Sequence, residues 1–258
     1  MAHEFDGKKY EKASAHQKDW GASIIADLNL KGQERVLDLG CGDGVLTSQI
    51  ADLLPGGEAV GIDASRGMIK VARQKERRNL KFLLKDIDCC DYKKEFDLVF
   101  SNAALHWVKD HNRLLQNVRG ALREGGFIRF NFAGDGNCSS FFKVIREAMA
   151  LEKFQAYFKD FEWPWYMPSI TQYESLIEVS GLRNTKVWSK NADRYFPDVQ
   201  TMVNWVDQPS LVPFLALVAD VDKEQFRDYV VRRMIEETMQ EDGRCFETFR
   251  RINVFAER

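Results

Sequence analysis

Three glycines at alternate positions, Gly40, Gly42 and Gly44, follow directly on the apolar stretch Arg35-Val36-Leu37-Asp38-Leu39, and a carboxylate, Asp63, closes the next apolar stretch nineteen residues after the last of them. Glycines at a strand end let the backbone turn sharply and come close to a ligand with no Cβ in the way. The segment from Val45 to Leu54 reads as a helix whose N-terminus faces the same crevice. An acid at the end of the second strand suits the two hydroxyls of a ribose. The residues therefore describe a nucleoside-cofactor site. The spacing lacks the third glycine of a dinucleotide G-x-G-x-x-G fingerprint, and there is no G-x-x-x-x-G-K-[ST] phosphate loop. An acidic residue here repels a pyrophosphate but suits a ligand carrying an ammonium or sulfonium group.

Further motifs follow in order: Gly61-Ile62-Asp63-Ala64-Ser65 with Met68, then Asp86-Ile87, then Asp97-Leu98-Val99-Phe100-Ser101-Asn102. The set resembles the class I methyltransferases that use S-adenosylmethionine, over about residues 30 to 133. The resemblance implies that Gly40 and Gly42 border the cofactor's amino-acid part, that Asp63 takes the ribose hydroxyls and that Asp86 takes the adenine amino group. Ile87 and Met68 would wall the adenine, Asn102 would lie beside the methionine portion, and Asp38 and Ala64 complete the cofactor set. No metal is expected.

The elements that must hold these residues alternate. Strands are expected over 35–39, 58–62, 80–84, 96–101 and 126–132, with helices over 45–54, about 66–76 and 111–122. Short connections between such elements argue a parallel sheet covered by helices on both faces, with ligands at the carboxyl ends of the strands. After Phe132 the pattern changes. A helix is expected over 139–158, another over 171–180, a sixth strand over 183–189, a helical block from about Asp198 to Gln240 and a last strand from Cys245 to Glu257. The expected fold class is α/β, Rossmann-like, with a seven-stranded, mostly parallel sheet and a helical lid, and the resemblance to the methyltransferases implies an antiparallel last strand inserted at the edge. Residues 1–30 are expected to form an N-terminal helical segment closing over the cofactor, and 31–258 one methyltransferase domain carrying the lid at about 198–240.

Composition sets outer limits. Hydrophobic residues make up 45% of 258 positions, enough for a sizeable core, and a net charge of −2 argues against electrostatic capture of nucleic acid. No apolar run approaches the ~20 residues of a membrane span, and the N-terminus is too polar for a signal peptide. The five cysteines are odd in number and form no C-x-x-C pair, so a reducing cytoplasm is expected rather than structural zinc or a disulfide framework. The partner expected is a small-molecule acceptor, with no nucleic acid and no membrane, and the chain is expected to be a monomer.

Methyl transfer from a sulfonium is an in-line displacement, so the protein mainly aligns the acceptor and excludes water. A hydroxyl or carbon acceptor can also need a general base, for which His106 and His16 are the candidates. A carboxylate needs none, because it is already anionic at pH 7. Ser101-Asn102-Ala103-Ala104-Leu105-His106-Trp107-Val108 follows the fourth strand, beside the expected methyl position. The asparagine, the small residues and the Trp-Val look like the trans-aconitate methyltransferases. Tyr10 and Gln17, seven residues apart, paired with Trp107, look like the juvenile hormone acid methyltransferases. That likeness implies that Gln17 and Trp107 hold the acceptor carboxylate and that Tyr10 closes over the cofactor.

The likeness to the trans-aconitate enzymes runs on through Val203-Asn204-Trp205-Val206, Leu211-Val212-Pro213-Phe214-Leu215, Tyr229 to Met234 and Asp242-Gly243-Arg244. Two family arginines are missing: Val212 stands before the proline, and Thr248 stands four residues beyond Arg244. Losing guanidiniums removes bidentate carboxylate clamps, which points away from a tricarboxylic acid. Trp205, Phe214, Phe226 and Phe246 suggest a larger, more apolar acid instead. Arg244, at the turn opening the last strand, is the expected anion anchor, ahead of Arg232 and Arg233, whose default partners are Glu236 or Glu237. Methylation of a hydroxyl or carbon, and a non-catalytic binding scaffold, stand as the alternatives.

Overall fold

The computed structural model describes residues 15–258, with side chains from Trp20 onward apart from Pro209. Its strands are β1 (Arg35–Leu39), β2 (Glu58–Asp63), β3 (Leu80–Leu84), β4 (Phe96–Asn102), β5 (Leu122–Ala133), β6 (Arg183–Asn191), β7 (Arg194–Phe196), β8 (Cys245–Glu247) and β9 (Arg250–Glu257). Its helices are α1 (Ala15–Ala26), α2 (Val45–Asp52), α3 (Arg66–Ala72), α4 (His111–Ala121), α5 (Ser139–Ala150), α6 (Ile170–Glu178), α7 (Val199–Trp205), α8 (Val212–Leu215) and α9 (Asp220–Thr238). No helix among the described residues is long and apolar enough to cross a membrane.

Seven strands form one sheet in the order β3-β2-β1-β4-β5-β9-β6. β1 to β5 pair in parallel, and β9 runs antiparallel to β5, with Asn131 opposite Asn253 and Ala133 opposite Arg251. The last strand is therefore antiparallel, as expected, but it lies between β5 and β6 and leaves β6 at the edge. The order reverses between β1 and β4, and a ligand crevice belongs at the carboxyl ends of those two strands.

Alternate residues of the strands serve opposite faces of the sheet. Leu37, Leu39, Val99 and Phe130 pack with the buried residues of α4 and α6, whereas Val36, Leu98 and Phe100 pack with Ile50 and Ala51 of α2. Ile24, Ile25 and Leu28 bring α1 into that second layer. Gly21 lies so close to α2 that a Cβ there would fall 2.2 Å from Leu46 Cδ1.

The chain divides into two compact units. One takes the chain up to Asp135 with Trp165–Lys190 and Arg251–Arg258, and the other takes Gly136–Pro164 and Asn191–Arg250. The second unit has its own aromatic core. Phe214 is wholly buried, with ring centroids of Phe141, Phe161 and Trp163 at 6.1, 5.2 and 5.9 Å, and Phe226 packs on Phe154 and Phe158 at 5.1 and 5.4 Å. Trp205, Phe214 and Phe226 are consumed in this core, so they carry no argument for an apolar acceptor.

Two expected elements are broken. The helix expected over 139–158 ends at Ala150, because Leu151 turns extended (ψ 138°), and a separate turn, Gln155–Phe158, carries its aromatics to Phe226. The strand expected over 245–257 splits at Thr248-Phe249 into β8, which pairs with β7, a strand the sequence pattern did not suggest, and β9. The break has a cause: buried Glu247 accepts the Phe141 N–H at 2.9 Å and Thr248 Oγ1 accepts the Ser139 N–H at 2.9 Å. These bonds serve the orphan donors that open α5.

Candidate active site

The glycine turn is tied to both neighbouring strands. The N–H groups of Gly40 and Cys41 donate to Ile62 O at 2.9 and 3.0 Å, which fixes the turn against the end of β2. Asp63 then accepts from two directions: Oδ2 from Gly42 N–H and Oδ1 from Ser65 N–H, both at 2.9 Å. Ser65 in turn caps α3 by accepting from Met68 N–H. Ala64 lies between these residues and is half-buried, and Met68 is buried.

Steric room separates the glycines. A Cβ on Gly40 (φ +73°) would fall 2.2 Å from Ala104 Cβ, whereas one on Gly42 (φ +56°) would meet nothing within 4 Å among the described residues. The Gly42 face of the turn is open and bounded by the Asp63 carboxylate, a cradle that suits a nucleoside ligand. Asp38 is buried at the end of β1, where its Oδ2 accepts from Thr47 Oγ1 at 2.7 Å. Burial pushes its carboxyl up to about 7, opposed by the Thr47 bond and reinforced by the charge of Asp63. Such a group favours a cationic ligand portion, since a nearby positive charge restores its ionised form. The donors and the open turn thus fit S-adenosylmethionine.

After β3, Asp86 Oδ1 accepts from Asp88 N–H and opens the short turn Ile87–Cys89. Ile87 is half-buried against the sheet core, with its Cδ1 3.8 Å from where a Gly40 Cβ would sit. Gly40, Ala104 and Ile87 therefore converge, joining the ends of β1 and β4 to the loop after β3.

The corner after β4 is held in an unusual shape. Asn102 is buried, and Ala103 has φ +57° with its N–H donating to Asn131 O at 2.7 Å. Left-handed backbone at a residue bearing a Cβ is uncommon, and it persists where the surroundings over-determine it. Leu105–Trp107 then make one turn. His111 holds that turn from below: Nε2 donates to Leu105 O at 3.0 Å, which leaves Nδ1 to accept from the Tyr173 hydroxyl at 3.2 Å. Trp107 packs edge-on to Trp165 at 5.4 Å, and Tyr166 N–H donates to His106 O.

His106 sits beside Trp107 with a buried Nδ1 that has no hydrogen-bond partner among the described residues. Burial, then the positive charges of Arg251 and His111, push its imidazolium down to about 3. Burial likewise brings His111 down to about 4. Sequence reasoning missed Arg251 and Asn131. The guanidinium donates from Nε and Nη2 to Asn131 Oδ1 at 3.0 and 2.7 Å, and it lies 4.8 Å over the ring of Trp20. The available signal was a polar residue among the buried positions of each strand, Asn131 between Phe130 and Phe132 and Arg251 before Ile252.

Tyr10 lies outside the described residues. Gln17 and His16 belong to α1, but their side chains lie outside the described ones. Arg244 belongs to the second unit, where it is engaged locally: Nε donates to Asp242 Oδ2 at 2.7 Å and the guanidinium stacks on Tyr195 at 4.3 Å. Arg233 pairs with Glu147 and Glu236, and Arg232 pairs with Glu236. Thr248, four residues beyond Arg244, is a helix-capping residue here.

A family profile for the methyltransferase domain matches residues 30–167. A trans-aconitate 2-methyltransferase of Deinococcus radiodurans is 30% identical over 223 residues, covering 83% of this chain and 85% of that protein. An enzyme described as a probable trans-aconitate 2-methyltransferase, from Mycobacterium tuberculosis, is 26% identical over 98% of this chain and 96% of its own. Among solved structures, the YcgJ protein of Bacillus subtilis superposes with a TM-score of 0.63 at 13% identity, covering 94% of this chain and 98% of that one. The Haemonchus contortus phosphoethanolamine N-methyltransferase 2 in complex with S-adenosyl-L-methionine gives 0.61 at 18% identity, covering 97% of this chain and 56% of that one. These structural likenesses are of fold.

Proposed function

The chain belongs to the methyltransferase family and is an S-adenosylmethionine-dependent enzyme, and from that premise we propose that its acceptor is a small carboxylic acid, methylated on oxygen to a methyl ester. When bound, the cofactor supplies a methyl group already activated by positive sulfur. A carboxylate oxygen would accept that methyl group with the S–CH3 electron pair staying on sulfur, so the surrounding residues would have no proton to move.

The observation that carries this reading is at His106. A general base must take a proton in the transition state, and its best strength lies near the working pH. Accepting a proton at His106 creates an imidazolium in a buried place beside the Arg251 guanidinium, which is why its protonation is pushed down to about 3. Acceptors that need deprotonation are poorly served by such a group, whereas a carboxylate arrives ready. The relatives named trans-aconitate 2-methyltransferases support the same class. In this reading Trp107 donates its indole N–H to the acceptor carboxylate and Gln17 donates its amide. Asn102 and Asp38 border the amino-acid end of the cofactor, Asp63 takes the ribose, and Asp86 and Ile87 take the adenine.

The test is incubation with S-adenosylmethionine and a panel of carboxylic acids headed by trans-aconitate, alongside phenols and amines, with products resolved by mass. A methylated product that mild alkali hydrolyses back to the acid, and whose yield drops in Trp107→Phe, is expected. A methylated product stable to alkali, formed from a phenol or an amine, overturns the carboxylate reading.

A further inference from the structure

We propose that Arg251 is a positioning residue that ties the helix carrying Gln17 to the corner carrying Trp107, a role that deepens the carboxylate reading above. β9 runs antiparallel, so Arg251, opposite Ala133, stands at the carboxyl end of β5, level with the ends of the ligand-bearing strands. Its side chain is buried in the same unit as both segments.

One edge of the guanidinium governs the corner. Nε and Nη2 converge on Asn131 Oδ1, and the Asn131 amide donates to Asn253 Oδ1 at 3.0 Å, which leaves that amide a single orientation. The carbonyl of the same Asn131 accepts from Ala103 N–H, the residue whose left-handed backbone turns the chain from β4 toward Trp107. Holding Asn131 therefore holds the start of the Ala103–Trp107 corner.

The flat face of the guanidinium governs the helix. Trp20, 4.8 Å away, stands on α1 three residues after Gln17, about one helical turn. The C-terminal half of α1 is fixed by Ile24, Ile25 and Leu28 in the sheet core. Trp20 carries that anchorage one turn further, toward the end that bears Gln17. A guanidinium donates from two adjacent nitrogens to one oxygen while its central carbon lies over a ring. An ammonium has the charge without the plane.

The experiment compares wild type with Arg251→Lys, Arg251→Gln and Trp20→Ala by hydrogen-exchange mass spectrometry. S-adenosylhomocysteine titration reports the cofactor site, and turnover is measured with trans-aconitate as the probe acid. Both Arg251 variants are expected to exchange at least tenfold faster in peptides covering 15–26 and 103–110, with S-adenosylhomocysteine affinity within threefold of wild type. Trp20→Ala is expected to loosen 15–26 alone. With a methylated acid, kcat is expected to fall in Arg251→Lys as far as in Arg251→Gln while KM for the cofactor holds. Lysine restoring wild-type exchange and kcat overturns the proposal, as does faster exchange confined to β5 and β9. If the Arg251 variants fail to fold, unchanged exchange of α1 in Trp20→Ala overturns it. Absence of any methylated acid with the exchange pattern intact removes the carboxylate reading and still supports the tie.

Discussion

Adding one methyl group at Gly40 or at Gly42 is expected to do two different things, although the residues are two apart in one turn. Both have left-handed backbone, so alanine at either costs about 1–2 kcal/mol for conformation alone. At Gly40 the new Cβ also lands 2.2 Å from Ala104 Cβ, far inside carbon contact distance, and Ala104 follows a residue that is itself held in left-handed backbone. Overpacking of that kind adds about 1–3 kcal/mol, for a total loss of about 2–5 kcal/mol of stability. At Gly42 nothing lies within 4 Å among the described residues, so only the conformational part applies. In the proposed cofactor assignment the space at Gly42 would receive the cofactor beside Asp63, and a methyl group there would displace it. Gly42→Ala should therefore weaken S-adenosylmethionine binding tenfold or more, about 1.4 kcal/mol, while Gly40→Ala should be the less stable protein. Urea denaturation and isothermal titration read the two effects separately. Unaltered cofactor affinity in Gly42→Ala would refute the assignment of that face, and a Gly40→Ala protein no less stable than Gly42→Ala would refute the rigidity of the β4 corner.

The buried carboxyls and histidines make pH the next probe. Asp38 ionises near 7 in the folded chain against 3.8 unfolded, so between about pH 4 and 7 the unfolded state is charged while the folded one is protonated. Its contribution to stability falls as pH rises through that window and levels off above 7. A cationic ligand beside it should expel the proton, so titrations at pH 6.5 in two buffers of different ionisation enthalpy should give different heats, and Asp38→Asn should abolish the difference. His106 and His111 act in the opposite sense: with protonation at about 3 and about 4, they contribute stability that is present above 6.5 and lost as pH falls. Each contributes a slope of at most about 1.4 kcal/mol per pH unit. The urea midpoint of His106→Gln should thus drop less than that of wild type from pH 6.5 to 4.5, and parallel curves would show that the ring is not shielded as described. Asp63→Ala removes the acceptor shared by Gly42 and Ser65 and should weaken S-adenosylmethionine at least tenfold by titration, with wild-type affinity refuting its role.

The glycine turn and the strand ends around it were legible because they are built from local signals. Gly40, Gly42 and Asp63 mark strand ends, and a strand end followed by glycine is a short-range feature that tertiary packing seldom moves. The corner after β4 was legible only in part. Trp107 and His106 could be placed after β4, but the left-handed Ala103 and its bond to Asn131 join segments far apart in sequence. The second unit was least legible, because Phe214 and Trp205 read equally as pocket lining or as core until their packing partners are known. Thr248, likewise, reads as strand until α5 is seen to need a cap.

The order of the strands from β1 to β5 and the cofactor class were legible in the sequence alone, since hydrophobic period and turn chemistry act over a few residues. The position of β9 inside the sheet, the breaks at Leu151 and Thr248, and the weak basicity of His106 were decided only by the tertiary structure. Each depends on what packs against the residue from elsewhere in the chain: Phe226 draws the turn after Leu151, the first turn of α5 draws Glu247 and Thr248, and Arg251, 145 positions beyond His106, opposes its protonation. Burial and neighbouring charge are long-range quantities, and they decide which polar side chains remain available for chemistry.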